Sequence, residues 1–255
     1  MPYYYGYGYG YGYYSREYFW FLGAILLCML FSGIASYKVK SSFEKYDKVR
    51  TRTGTTGSTA VRRLFQANGV YGISIGKVAG QLSDHYHPKK AVVNLSESTH
   101  DSCSVAAVAV AAHEVGHVMQ KKERYWFYNL RTALVPVVNV GTFLAIPLVL
   151  LGILMETVIQ VSDPDMGFKV AMVGVALYGG SMIFALVTLP VELDASRRAK
   201  RMLVQEGILY EDELPGASKV LSAAAMTYLA SLITSMVYFL RFLFYVLQMF
   251  GRSRD

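Results

Sequence analysis

The stretch HEVGH at 113–117 combines residue types and a spacing that suit one kind of chemistry. On an α-helix His113 and His117 lie one turn apart on the same face, so two imidazoles converge on one point, as a tetrahedral zinc requires. Glu114 follows the first histidine around the helix. From there its carboxylate can reach a water in the metal's open position and take its proton as general base. The run from Val105 to Gln120 is rich in Ala and Val and follows two candidate N-caps, Ser102 and Ser104, so a helix is expected there. Gly116 allows close backbone packing against whatever element supplies the rest of the site.

The elements that must position this motif are mostly apolar. Hydrophobic residues make up 53% of the chain, too many for a purely soluble protein, and four uncharged runs account for the excess. Residues 18–37, 132–155, 170–191 and 220–240 each reach the roughly 20 residues needed to cross a hydrocarbon core. The fourth run continues past Arg241 to residue 250, and that arginine would be costly facing lipid. The first run is too long and too aromatic for a cleaved signal peptide, with only Arg16 ahead of it, and reads as a retained anchor. The expected fold class is therefore mainly α: a polytopic membrane protein with four transmembrane helices and a small α+β portion carrying the HExxH site. Cys28 lies inside the first run and Cys103 just before the motif helix, so neither a disulfide nor a cysteine metal site is expected.

The net charge of +7 comes from basic residues beside the runs, with no aromatic-interleaved patch of the kind that binds nucleic acid, so no nucleic-acid partner is expected. Residues 38–63 carry eight basic residues against Glu44 and Asp47. By the positive-inside rule this segment is cytoplasmic and the N-terminus outside. Lys121, Lys122, Arg124 and Arg131 keep the motif helix on the same side, in an expected cytoplasmic portion at 38–131. Residues 156–169, with Glu156, Asp163 and Asp165, form an expected external loop. Arg197, Arg198, Lys200 and Arg201 return the chain inside, in an expected cytoplasmic helix at 192–219 that ends near Gly207. Localisation in a bacterial-type cell membrane, with a cytoplasmic active site, follows.

Smaller features complete the organisation. Residues 1–17 hold a Tyr-Gly repeat, expected as a low-complexity tail. Residues 58–68 form an expected amphipathic helix with Val61, Leu64 and Phe65 on one face, closed by Asn68-Gly69. Residues 70–98 read as a small β-hairpin, with 91–96 as an edge strand that could pair with a peptide substrate.

A catalytic zinc takes three protein ligands, so a further His or carboxylate must come from elsewhere. Glu156, Asp163 and Asp165 fall across the membrane by the charge pattern. VELDASRRAK at 191–200 leaves the third run on the motif's side and offers Glu192 and Asp194. Two residues apart on a helix, these two carboxylates point in widely separated directions and do not easily share one metal.

Several linked stretches resemble the YugP-like family of membrane-bound neutral zinc metallopeptidases: SDHYHP at 83–88, SVAAVAVAAHEVGHVMQ at 104–120, LVPVVNVG at 134–141 and VTLPVELDASRRAK at 187–200. The resemblance covers about residues 37 to 235. It implies a zinc-dependent membrane endopeptidase with His113 and His117 as ligands, Glu114 as catalytic acid/base and Glu192 as third ligand. E-x-x-A at 192–195 resembles the third-ligand helix of glutamate zincins and favours Glu192 over Asp194. Membrane proteases of the CAAX-prenyl and heat-shock zincin type are similar in separating HExxH from the Glu helix by spans. Those proteins carry an Asp four residues after the third ligand, to orient a ligating His. Here Ser196 stands in that place, and Ser196 or Asp194 is the expected substitute. The resembling family usually carries Asp where this chain has His87.

His85 and Tyr86 are candidate donors to the oxyanion of the transition state, with His85 also an alternative third ligand. The expected function is hydrolysis of protein or peptide substrates, membrane-associated ones above all, by metal-activated water. Two rivals remain: a non-catalytic membrane scaffold with a structural or vestigial zinc site, and a site-2-type protease that cleaves inside the bilayer. Glu114 argues against the first. Lys121 and Lys122, directly after the motif, argue against the second.

Overall fold

The protein is described by a computed structural model covering residues 8–159, 163 and 165–251, with side chains from residue 18 onward. It is mainly helical, with one small sheet. In chain order the elements are α1 (Gly8–Asp47), α2 (Gly57–Ala67), β1 (Ser74–Val78), β2 (His85–His87), β3 (Val92–Ser96), α3 (Glu97–His100), α4 (Val105–Lys122), α5 (Trp126–Leu154), α6 (Met166–Gln205) and α7 (Leu214–Gly251). A π-helical turn, Met155–Ile159, extends α5. Four helices, at Tyr18–Asp47, Trp126–Ile159, Met166–Gln205 and Leu214–Gly251, are long and apolar enough to cross a membrane. α4 is not among them.

Two local expectations are revised. The Tyr-Gly tract, expected as a tail, is helical backbone from Gly8 on, because extending a helix that the apolar run has nucleated adds one hydrogen bond per residue fixed. Its residues 3–7 lie outside the described residues, as do 160–162 and 164 of the expected external loop. The expected hairpin is present as β2 and β3, and β1 adds a third strand to give a sheet of order β1-β3-β2. β3 pairs antiparallel with β2 and parallel with β1, so the segment read as an edge strand is the central one. β1 escapes the alternation pattern because Gly76 interrupts it, and that glycine is what admits Asn94: a Cβ there would lie 2.3 Å from Asn94 Oδ1.

The chain divides into two compact units. One comprises the described residues up to Ile34, Pro136–Ile183, and those from Ala230 on. In it α5 and α6 pack through small residues. A Cβ on Gly174 would sit 2.6 Å from Ala145 O, and one on Gly152 would sit 2.4 Å from Gly167 O. Such contacts bring helix backbones together where burial of apolar surface supplies little drive. The outward faces stay apolar, with Leu27, Phe143 and Leu150 exposed. Arg241 lays its guanidinium 5.0 Å from the Phe21 ring centre, a cation–π contact that offsets the cost of a charge in an apolar helix.

The other unit, Ala35–Val135 with Phe184–Leu229, holds the HEVGH motif. Its centre is α4, capped by Ser104, whose hydroxyl accepts from Ala107 N at 3.1 Å. Fourteen of its 18 residues are buried, so the helix is enclosed nearly all round and small Ala and Val side chains suit it. Val61 and Leu64 of α2, Val93 and Leu95 of β3, and Leu203 of α6 pack around it. Each such side chain, fully buried, contributes about 1.5–3 kcal/mol. Phe43 of α1 and Val220 of α7 close another side against Ala106. α2 begins at the cap Thr56 and stops at Asn68-Gly69, where Gly69 takes φ +58°.

α4 and α6 approach closely at Gly116. A Cβ there would lie 2.5 Å from Ala195 O and 3.0 Å from Ala195 Cα, both backbone atoms that cannot step aside. Gly116→Ala is therefore expected to push the helices apart, costing about 1–3 kcal/mol of stability and weakening metal binding together with it. Thermal unfolding and metal titration of the detergent-purified variant check this, and wild-type values in both would contradict it.

Candidate metal and active site

α4 presents His113 and His117 with ring centres 4.7 Å apart and rings nearly perpendicular. Across from them α6 presents Glu192, only 2% exposed. Its Oε2 lies 3.2 Å from His113 Nε2 and 3.4 Å from His117 Nε2. One ligand atom from each residue lies within 4.8 Å of the others, which is the geometry of a group able to hold a metal ion. Asp194 points elsewhere, as two residues on a helix must, and accepts from Gln120 and Arg198.

The hydrogen-bond network fixes how the imidazoles face. Gln120 Nε2 donates to Val191 O at 2.7 Å and to Asp194 Oδ2 at 3.0 Å. Its Oε1 is left to meet His117 Nδ1 at 2.9 Å, so that nitrogen carries the hydrogen and Nε2 turns inward. Ser196 Oγ sits 3.1 Å from His113 Nδ1 and performs the same service there. Acceptors on the outer nitrogens are what metal-ligating histidines require. Arg131 NH1 lies 3.3 Å from Glu192 Oε1, holding that oxygen away and leaving Oε2 to face the histidines.

Two imidazole nitrogens and a carboxylate oxygen thus converge, with His113 Nε2 and Glu192 Oε2 within hydrogen-bond distance. Such a cluster repels itself unless a cation sits in it. Burial disfavours charge on His117, but the hydrogen bond and charge of Glu192, with Glu114 and Gln120, outweigh it and hold its pKa above the ordinary value. The pocket demands positive charge, and its donor set of two imidazoles and one carboxylate suits a borderline dication such as zinc.

Glu114, 7% exposed, lines the same small polar cavity of about 170 Å3. His85, Tyr86, Tyr128 and Tyr228 wall it as well. Asp84, just before β2, accepts from Ser96 N–H at 2.8 Å and from the hydroxyls of Ser96 and Thr99. It anchors the strand that carries His85 and Tyr86. His85 has both ring nitrogens engaged, Nδ1 with Ser83 O at 2.9 Å and Nε2 with Asn94 Nδ2 at 3.0 Å, and it stands outside the metal-binding group. Tyr86 lines the cavity, its pKa raised by burial.

Gln120, Arg131, Tyr128 and Tyr228 are site residues that the sequence reading assigns no role. Gln120 had a signal: it lies three residues after His117, one turn on along the same face. Arg131 reads as a topology marker at the head of an apolar run, and Tyr228 as one more aromatic inside another.

A short buried helix bearing HExxH, paired with a glutamate from a second helix and joined to four long apolar helices, defines the class of metallopeptidase-like membrane proteins. The model of the family described as "Putative neutral zinc metallopeptidase" matches residues 21–247, and this chain belongs to that family. It is 41% identical over 221 residues, 87% of this chain and 93% of the relative, to the "Putative membrane protease YugP" of Bacillus subtilis (strain 168). No solved structure matches.

Replacing Gln120 by Leu removes the acceptor from His117 Nδ1 while keeping the volume close. Metal affinity is expected to fall about 10- to 100-fold, read by competition against a chromophoric chelator. Unchanged affinity would show that the glutamine serves packing alone.

Proposed function

We propose that this protein is an integral-membrane zinc metalloendopeptidase that hydrolyses protein or peptide substrates, with its active site on the cytoplasmic side and its N-terminus outside. The observation that carries the reading is the placement of Glu114 in the same small cavity as the converging His113, His117 and Glu192. The basic residues flanking the apolar runs support the orientation.

His113, His117 and Glu192 would hold the zinc, which would supply a Lewis acid to the scissile carbonyl and to a water. Glu114 takes a proton from that water and delivers it to the leaving amine, so one carboxylate serves as base and then as acid. Tyr86, which lines the cavity, is the candidate donor to the developing oxyanion, while Tyr228 hydrogen-bonds Glu192. His85, considered for that role, has no N–H left over: with Nδ1–H given to Ser83 O, its Nε2 accepts from Asn94. Its part is to hold β2 in place.

Because β3 is paired on both sides, the edges of the sheet are β1 and β2, and β2 is the one whose His85 and Tyr86 border the metal cavity. An extended peptide added there would pass beside Glu114. Substrates would be membrane proteins or their cytosolic tails. A scaffold would have no use for Glu114 in the cavity, and cleavage within the bilayer would place HExxH on a spanning helix, whereas α4 ends in Lys121 and Lys122.

The test is metal content and casein cleavage of the detergent-purified protein. Wild type is expected to hold one zinc per chain. Glu114→Gln should keep the metal and lose cleavage by about 100-fold or more, while Glu192→Ala should lose both. A wild type that neither binds zinc nor cleaves after metal repletion would overturn the reading, and full activity in Glu192→Ala would remove the proposed ligand.

A further inference from the structure

A second, larger cavity of about 360 Å3 adjoins the metal cavity. The two share Asp84, His113, Glu114 and Tyr228 as lining, so they are two chambers meeting at the proposed general base. Their chemistry differs. Beyond the shared residues the larger chamber is walled by Val39 and Phe43 of α1, Val110 of α4, and Val220 and Ala224 of α7. Ser36 and Thr227 add polar but uncharged groups. All its titratable lining is at the shared end, and Asp84 there is already bound by Ser96 and Thr99.

Leu82 completes the wall from the loop before β2. Its backbone takes φ +54°, a left-handed conformation that costs a non-glycine residue energy. That conformation sits on the strand connection that also positions Tyr86.

We propose that the larger chamber is the specificity pocket of the site, receiving a bulky aliphatic or aromatic side chain of the polypeptide next to the scissile bond. The inference rests on the peptidase reading above and adds the class of residue selected. A carbonyl lying in the metal cavity beside Glu114 puts the neighbouring side chain at the junction with the apolar chamber. Apolar groups gain by leaving water there, whereas a charged side chain would be stranded without a partner. Continuity with Glu114 and His113 makes the occupant part of the reacting chain rather than a separate ligand.

The experiment uses full-length zinc-loaded protein and blocked peptides identical except at the two residues flanking the scissile bond, each set in turn to Leu, Phe, Ala, Asp or Lys. At one of these positions Leu and Phe are expected to exceed Ala by roughly 10- to 100-fold in kcat/KM, with Asp and Lys below Ala. Ala224→Phe, which fills the chamber, should reverse the order in favour of Ala. A second readout is free of turnover: Glu114→Gln should bind the Leu peptide at least tenfold more tightly than the Ala peptide.

Equal treatment of Leu and Ala at both positions, in cleavage and in binding alike, overturns the pocket assignment. It is also overturned if Ala224→Phe folds and leaves the order unchanged, or if a fatty-acyl detergent competes while the peptides show no preference. Should Ala224→Phe not fold, the wild-type series and the binding order decide. If no peptide is cleaved yet Glu114→Gln ranks them as expected, the pocket stands and the peptidase reading fails.

Discussion

Everything chemical in this protein depends on how closely two helices approach at Gly116 and Ala195. HExxH supplies two ligands from one helix, but a third must come from a different part of the chain at atomic precision. The missing side chain at Gly116 lets the α6 backbone come within van der Waals contact of α4. One turn before Ala195, that contact sets Glu192 Oε2 against both Nε2 atoms, and one residue after it sets Ser196 against His113 Nδ1. The same approach places Asp194 on the far side of Gln120, which in turn orients His117. One contact therefore positions a ligand and the groups that orient the other two.

The cluster so formed is electrostatically incomplete in a way that specifies what completes it. Arg131 stays on Oε1 of Glu192 and does not enter the space between the imidazoles. Arg198 is spent on Asp194 and Glu123. The protein thus surrounds the three donors with partners that fix direction without supplying the central charge. An enclosed arrangement of this kind is costly unless a cation fills it, and the donor set suits a dication.

The motif helix, the four apolar runs and the amphipathic α2 were legible because each follows from a period or a spacing: one turn between histidines, twenty apolar residues, one apolar face. Spacing says only that Glu192 and Asp194 diverge; the preference for Glu192 comes from the family resemblance, and the sequence does not choose between Ser102 and Ser104 as the cap. The sheet was only half legible. Val92 to Ser96 shows the composition of a strand, but nothing local tells whether such a strand has one neighbour or two, and the second neighbour, β1, hides behind Gly76. The same non-local gap conceals Arg131 and Tyr228. Their partner, Glu192, lies far away in sequence, and each is adequately explained in place, as a charge at the end of a run and as an aromatic within one.

Those two residues also show how the helices are used. Arg131, Glu192 and Tyr228 each stand on a helix whose continuation is one of the long apolar runs, a few residues before or after the point where the chain passes from one compact unit to the other. The helices that could anchor the protein in a bilayer are thus the same covalent rods that carry a ligand, its arginine partner and a tyrosine of the cavity wall. A soluble metallopeptidase can spread such duties over separate loops. The converging group draws His113 and His117 from α4 and Glu192 from α6.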